Sequence, residues 1–202
     1  MEEINKIDHI VELIKRNEKL FLENAGKLSD EEVEQEDIDE YFAIQGAAEE
    51  QLNAFERQFQ IKLPEDFKCV YRYKNGSGYI SLLWPQEGFY AGYRLLSLQE
   101  MREIKSYFQN ENRKMIEFPD VIDESQIQQL DERIKPYLFC ERWFPFAEYA
   151  DSLYLMLDFN PSPKGTVAQI ICYVHDPDFI YYIAPDITEA LKLTETVIKE
   201  LV

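Results

Sequence analysis

The chain holds two histidines among 202 residues, and one of them, His175, is followed by Asp176, with Asp158 on the other side of a short loop. A histidine beside a carboxylate is the material of general acid–base catalysis, and two facing carboxylates are what glycoside hydrolysis employs. The spacing argues against both. Neighbours in an extended strand point to opposite faces, so His175 and Asp176 cannot act as a hydrogen-bonded catalytic pair. Pro177 marks a turn at the strand's end, where an aspartate accepts backbone hydrogen bonds and a histidine caps or packs. Asp158 leads into Asn160, Pro161, Pro163 and Gly165, which read as a six-residue turn closed by polar side chains. Acids occupy 39 of the 202 positions, so chance carboxylate pairs are expected and carry little signal. The stretch from Leu157 to Asp176 is expected to be a structural hairpin.

Other chemistries fail on residue type. His9 lies at the far end of the sequence and no His/Cys cluster accompanies either histidine, which disfavours zinc. Cys69, Cys140 and Cys172 are widely spaced with no CxxC, the pattern of reduced, small core residues in a reducing cytoplasm. Asn75-Gly76-Ser77-Gly78 lacks the Gly-Lys-Ser/Thr ending of a phosphate loop, and its glycines read as a helix cap. There is no G-x-S-x-G elbow. No catalytic residue, metal site or cofactor is expected.

The elements that would position these residues follow from hydrophobic period. Ile7, Ile10, Val11, Ile14, Phe21 and Leu22 recur near 3.6, which predicts an amphipathic helix from Ile4 to Leu22. Leu52, Phe55 and Phe59 share a helical face, and Pro64 stands in the first turn of a helix that turns Phe67, Val70 and Tyr71 inward before Asn75-Gly76 ends it. YISLLW and YRLLSL, separated by Gly88 and Gly92, predict a strand pair, and LQEMREIKSYF a helix. Residues 109–136 read as polar, with ESQIQQLDERI helical. RWFPFAE, SLYLMLDF, TVAQIICYV and FIYYIAP predict four strands, the middle two apolar on both faces as central strands are, and a last helix starts near Ile187. This order predicts an α+β fold, a mostly antiparallel twisted sheet flanked by helices. With 13 Tyr, 13 Phe and 2 Trp to fill a core, residues 1–202 are expected to form one domain.

Charge narrows the partners. The 39 acids against 21 bases give a net charge of -18, which opposes binding to a phosphate backbone, so no direct nucleic-acid partner is expected. No apolar run approaches the roughly 18 residues of a membrane span, and the acidic amino terminus lacks an export signal's basic and apolar regions. A cytoplasmic protein is expected. Residues 1–50 hold 16 acids and 5 bases, a net of -11 that makes this quarter the acidic pole.

With these pieces in order, GAAEEQLNAFERQFQIKLPEDFKCVYRYKNG resembles the opening of the SUKH superfamily, in which a helix precedes an LP-x-D-[FY] helix ending in Asn-Gly. GYRLLSLQEM is similar to that superfamily's strand and Leu-Ser-Leu helix start. The later Trp-x-Pro, Leu-Asp-x-x-Pro and Gln-Ile-x-x-x-x-His-Asp segments resemble its signature, so the likeness spans residues 46–192 and leaves 1–45 as an acidic helical extension. One departure stands out: Tyr149-Ala150-Asp151-Ser152 replaces a Gly-rich turn. The resemblance implies a non-enzymatic protein of one of two kinds. One is an immunity protein that neutralises a cognate bacterial toxin by direct binding; the other is a regulatory or scaffold module of the Smi/Knr type, acting in cell-wall or signalling regulation.

Under the first implication the acidic run gains a role. Eight of the eleven residues 30–40 are acidic, headed by Ser29 with Glu32 at capping-box spacing, and self-repulsion predicts a mobile helix or a loop. The partner-facing candidates are Asp30, Glu31, Glu32, Glu34, Glu36, Asp37, Asp39, Glu40 and Tyr41. A dense carboxylate surface steers association with a basic cleft such as that of a nuclease toxin. Tyr41 and Phe42 beside the run either anchor a partner or turn inward as core.

Overall fold

The computed structural model describes residues 2–29, 33–85, 91–108, 112–176 and 178–202. Four helices come first: α1 (Glu2–Leu28), α2 (Gln35–Ala43), α3 (Glu49–Phe59) and α4 (Glu65–Tyr73). Strands β1 (Ser81–Leu83) and β2 (Tyr93–Leu95) lead to α5 (Leu98–Tyr107). A covering segment follows, with β3 (Arg113–Lys114), a 3-10 turn at Met115–Glu117, α6 (Glu124–Gln129) and β4 (Tyr137–Phe139). The chain ends with β5 (Trp143–Tyr149), β6 (Leu153–Asp158), β7 (Gln169–Val174), β8 (Phe179–Ala184) and α7 (Ile187–Leu201).

The main sheet runs β1-β2-β5-β6-β7-β8, with antiparallel pairing throughout. This is the expected α+β fold. Alternation along each strand divides the side chains between two faces. Leu95, Phe144, Leu155, Leu157, Ile170 and Cys172 face a helical layer in which α1 supplies Ile10, Leu13 and Ile14, α4 Phe67 and Tyr71, and α7 Ala190 and Leu191. Leu155 is fully buried there, and truncation to alanine would cost about 2–5 kcal/mol through lost transfer energy and the cavity left.

The opposite face has two unlike halves. Across it the register joins Ser81, Arg94, Glu148, Tyr154, Tyr173 and Ile180 in one row. Over β6–β8 the row is aromatic and aliphatic, and residues 115–140 cover it with Met115, Ile122, Ile134, Leu138 and Cys140. Phe108 packs edge-on against Tyr154 and Tyr173, with ring centroids 5.0 and 5.2 Å apart. Over β1, β2 and the end of β5 the row is polar. A β-bulge between Pro145 and Ala147 sets this up: it keeps Phe146 on the helical face and returns Glu148 to the opposite one.

Several expectations need correction. The 109–136 stretch, read as polar, buries Met115, Ile122 and Ile134 as the sheet's cover, and its helix is confined to Glu124–Gln129. The turn after Asp158 spans residues 159–168, not six. Pro64 is the N-cap of α4 rather than a residue of its first turn, and α4's C-cap Lys74 is extended, so the nearby glycines do not cap it. Gly76 and Gly78 instead take positive φ (101° and 56°) in the turn leading to β1. Asn75 reaches across so that its Oδ1 accepts the Leu98 N–H at 2.9 Å, satisfying a free donor at the start of α5. Ser97 completes that helix start with a capping box: its hydroxyl accepts from the Glu100 N–H at 3.2 Å, and Glu100 Oε2 accepts from the Ser97 N–H at 2.7 Å. The Gly88 position lies outside the described residues.

Candidate interaction surface

The hairpin that first suggested chemistry holds two separate arrangements. Asp158 pairs in register with Gln169, whereas His175 follows Val174, which pairs with Leu153. They therefore lie at opposite ends of the β6–β7 hairpin, about 20 Å apart along six residues of chain. Asp158 is fully buried. Its Oδ1 accepts from Trp143 Nε1 (2.9 Å) and from the Asn160 N–H (2.8 Å), and its Oδ2 accepts from Gln169 Nε2 (3.0 Å). Burial pushes its carboxyl above the usual range while these donors pull it back. A carboxylate so occupied ties the start of the turn to β5 and β7. His175 is exposed, and its Nδ1 meets Asp178 Oδ1 at 2.9 Å; that hydrogen bond raises the imidazole's affinity for a proton. Asp178 also accepts from the Tyr173 hydroxyl at 2.5 Å, and Asp176 takes a positive φ of 62° in the turn.

All three cysteines are buried free thiols. Among the described residues no group of three or more His, Cys, Asp or Glu could hold a metal ion, and no helix is long and apolar enough to cross a membrane.

The acidic run divides. Asp30, Glu31 and Glu32 lie outside the described residues, and with them the Ser29–Glu32 capping box. The rest forms α2, whose nine residues carry four carboxylates and no base. Glu34, Glu36, Asp39 and Glu40 are exposed. Asp37 is half-buried and accepts the Glu34 N–H at 3.0 Å, closing the helix start and complementing its positive dipole end. Tyr41 corrects the partner-facing set: it is fully buried with Phe21, Ile80 and Trp84, and the surface aromatic is Phe42, 52% exposed.

Two contacts fasten this self-repelling helix to the body. Glu18 of α1 accepts hydroxyl hydrogen bonds from Tyr41 (2.5 Å) and Tyr73 (3.1 Å). Lys74, buried, donates through Nζ to the carbonyls of Tyr41 (2.8 Å) and Ile44 (2.9 Å) and lies 4.6 Å from the Tyr41 ring centre. A cation there answers the negative dipole end of α2. Burial nonetheless draws the Lys74 pKa down.

Beside α2 the polar half of the sheet face opens as a groove of about 650 Å³. Gly78, Tyr79, Ser81, Arg94, Glu148 and the β5–β6 turn line it, and Ser29, the last described residue before the acidic run, stands at its edge. Arg94 donates through Nε to Glu148 Oε1 at 2.8 Å, with a second bond from Nη2, and through Nη1 to Glu100 Oε1 at 2.6 Å. Glu148 is only 6% exposed, and its Oε2 has no hydrogen-bond partner. Gly92 permits the floor: a Cβ there would stand 2.2 Å from Trp84 Cζ2. The turn spans residues 150–152, with Ala150 and Asp151 both at positive φ (50° and 54°), and is closed by the Ser152 N–H donating to the Tyr149 carbonyl at 3.1 Å. Side-chain-bearing residues thus hold the conformation that glycine adopts most easily.

Sequence reasoning missed this groove. The alternation Tyr93-in, Arg94-out, Leu95-in was its one available signal.

An antiparallel six-stranded sheet, packed on one face by α1, α4 and α7 and half-covered on the other, defines an α+β protein. Residues 46–193 match the SMI1 / KNR4 family (SUKH-1), and the chain belongs to that family. The match agrees with the likeness read from the landmark segments. No curated protein matches the chain.

Proposed function

We propose that this protein is an immunity protein that neutralises a cognate toxin by binding it directly, with α2 as part of the contact surface. The observation that carries this reading is the rigid presentation of exposed Glu34, Glu36, Asp39 and Glu40 on a helix fastened by Lys74 and the Tyr41–Glu18 bond. Nothing in the core requires those charges, and holding like charges together is unfavourable without an external counterpart. A toxin domain with a basic cleft, such as a nuclease, supplies that counterpart, and family membership supports the choice. The contact blocks the cleft and involves no turnover by this chain.

The test needs a candidate toxin, taken from any toxin gene found beside this one. Co-expression of the chain should rescue growth, and Glu34→Lys, Glu36→Lys, Asp39→Lys and Glu40→Lys together should slow association far more than they speed dissociation. The wild-type on-rate should fall with added salt. An on-rate indifferent both to the four reversals and to salt would remove α2 from the contact. Absence of rescue, together with binding to a host signalling or cell-wall protein, would favour the regulatory module that the same family also contains.

A further inference from the structure

The groove beside α2 combines features that the steering helix does not need. Three carboxylates, Glu100, Glu148 and Asp151, meet one cation, Arg94, which leaves a net of two negative charges around a half-enclosed floor. Arg94 spends its bonds on Glu148 Oε1 and Glu100, and Glu100 Oε2 is taken by the Ser97 N–H. Glu148 Oε2 is thus a buried acceptor with no donor, a condition that is unfavourable for a neutral group and more so for a charged one. Tyr79 stands 77% exposed at the rim. An acidic floor beneath an aromatic rim suits a flat, delocalised cation, which stacks on the ring and donates in a fork to a carboxylate.

We propose, building on the toxin-binding reading above, that this groove receives an arginine side chain of the protein partner, with Glu148 as its acceptor and Tyr79 as its stacking face. Guanidinium fits better than ammonium because it is less strongly hydrated and loses less on entering a half-enclosed site. Ser29, the last described residue before the acidic run, lies on the groove's edge, and Ile44, at the end of α2, lies 3.8 Å from where a Gly78 side chain would start. Long-range steering by α2 therefore delivers a basic partner to the mouth of the groove, where short-range capture fixes register.

The probe is the capped tripeptide acetyl-Gly-Arg-Gly-amide, titrated into the ¹⁵N-labelled full chain by NMR, with the citrulline tripeptide as its neutral match in shape. The arginine peptide should give saturable shifts at residues 79–81, 92–94 and 148–151, and the citrulline peptide should bind at least about tenfold more weakly, the loss typical of one charged hydrogen bond. Glu148→Gln should weaken the arginine peptide by a similar factor. Should that variant unfold, Tyr79→Ala, on an exposed side chain, still tests the groove and should weaken the peptide several-fold. Equal binding of the citrulline peptide, shifts confined to α2, no shifts, or indifference to the variants would each overturn the proposal. Loss of the groove with α2 reversals still slowing toxin association would leave the toxin-binding reading intact; capture of arginine without any effect of the reversals would do the opposite.

Discussion

Asp158 and Glu148 are buried carboxylates on the same face of one sheet, and they are treated in opposite ways. Asp158 lies at the edge of the covered half, with both oxygens taken by three donors from three parts of the chain. Glu148 lies in the open half, with one oxygen doubly taken by Arg94 and the other left over. A carboxylate that closes its own hydrogen bonds stabilises the fold. One with a spare acceptor contributes less to the fold and leaves a hydrogen bond open, the one that the proposed arginine would take. Burial alone does not separate the two; the count of donors does.

The largest expected effect comes from breaking the closed site. Asp158→Ala strands the Trp143 and Gln169 donors in a buried setting and should lower unfolding free energy by about 3 kcal/mol, seen as a fall in the denaturant midpoint. A loss below about 1 kcal/mol would mean that the covered half does not depend on this carboxylate. Next is the fastening of α2. Lys74→Met removes the cation from two buried carbonyls and should destabilise by about 2 kcal/mol, with faster amide exchange concentrated in residues 35–43. Uniform change across the chain would contradict a local role.

The open half should respond in the other direction to an easier turn. Replacing Ala150-Asp151 by Asn-Gly suits the two positive φ angles and should raise stability by about 1 kcal/mol without disturbing the Arg94–Glu148 pair. Unchanged or lowered melting would show that the turn carries no strain. The smallest effect belongs to His175. Its pair with Asp178 raises the folded pKa above the usual 6.5, so its contribution is fully present below that pH and is lost as pH climbs through the raised value. At an exposed site this amounts to less than about 0.5 kcal/mol. His175→Ala should flatten the stability-versus-pH curve just above pH 6.5 and leave it unchanged well above that range.

What the sequence disclosed follows the same division. The strands β5 to β8 and helix α7 are legible because apolar runs and the 3.6 period repeat over enough residues to be unambiguous. The cover over residues 115–140 is not, because Met115, Ile122, Ile134 and Leu138 enter the core with no shared period, while the apolar neighbours Ile116 and Val121 stay exposed. Tyr41 and Phe42 are adjacent on a one-sided helix, and only the packing of Phe21 and Trp84 decides which turns inward. The groove is the least legible feature. Arg94 and Glu148 are 54 positions apart, joined by cross-strand register, and strict alternation along β5 would have put Glu148 on the helical face; only the bulge near Phe146 returns it to the open one.

The most direct measurement is hydrogen exchange on the chain with and without a toxin domain whose lethality the chain suppresses on co-expression. Protection should gather at residues 34–43, 79–81, 92–94 and 148–151, the open half and its acidic border, while the cover at 115–140 keeps its free-state rates. Protection centred on that cover or on α7, with the open half unchanged, would contradict the division of this sheet face into a half that holds the fold and a half that holds a partner.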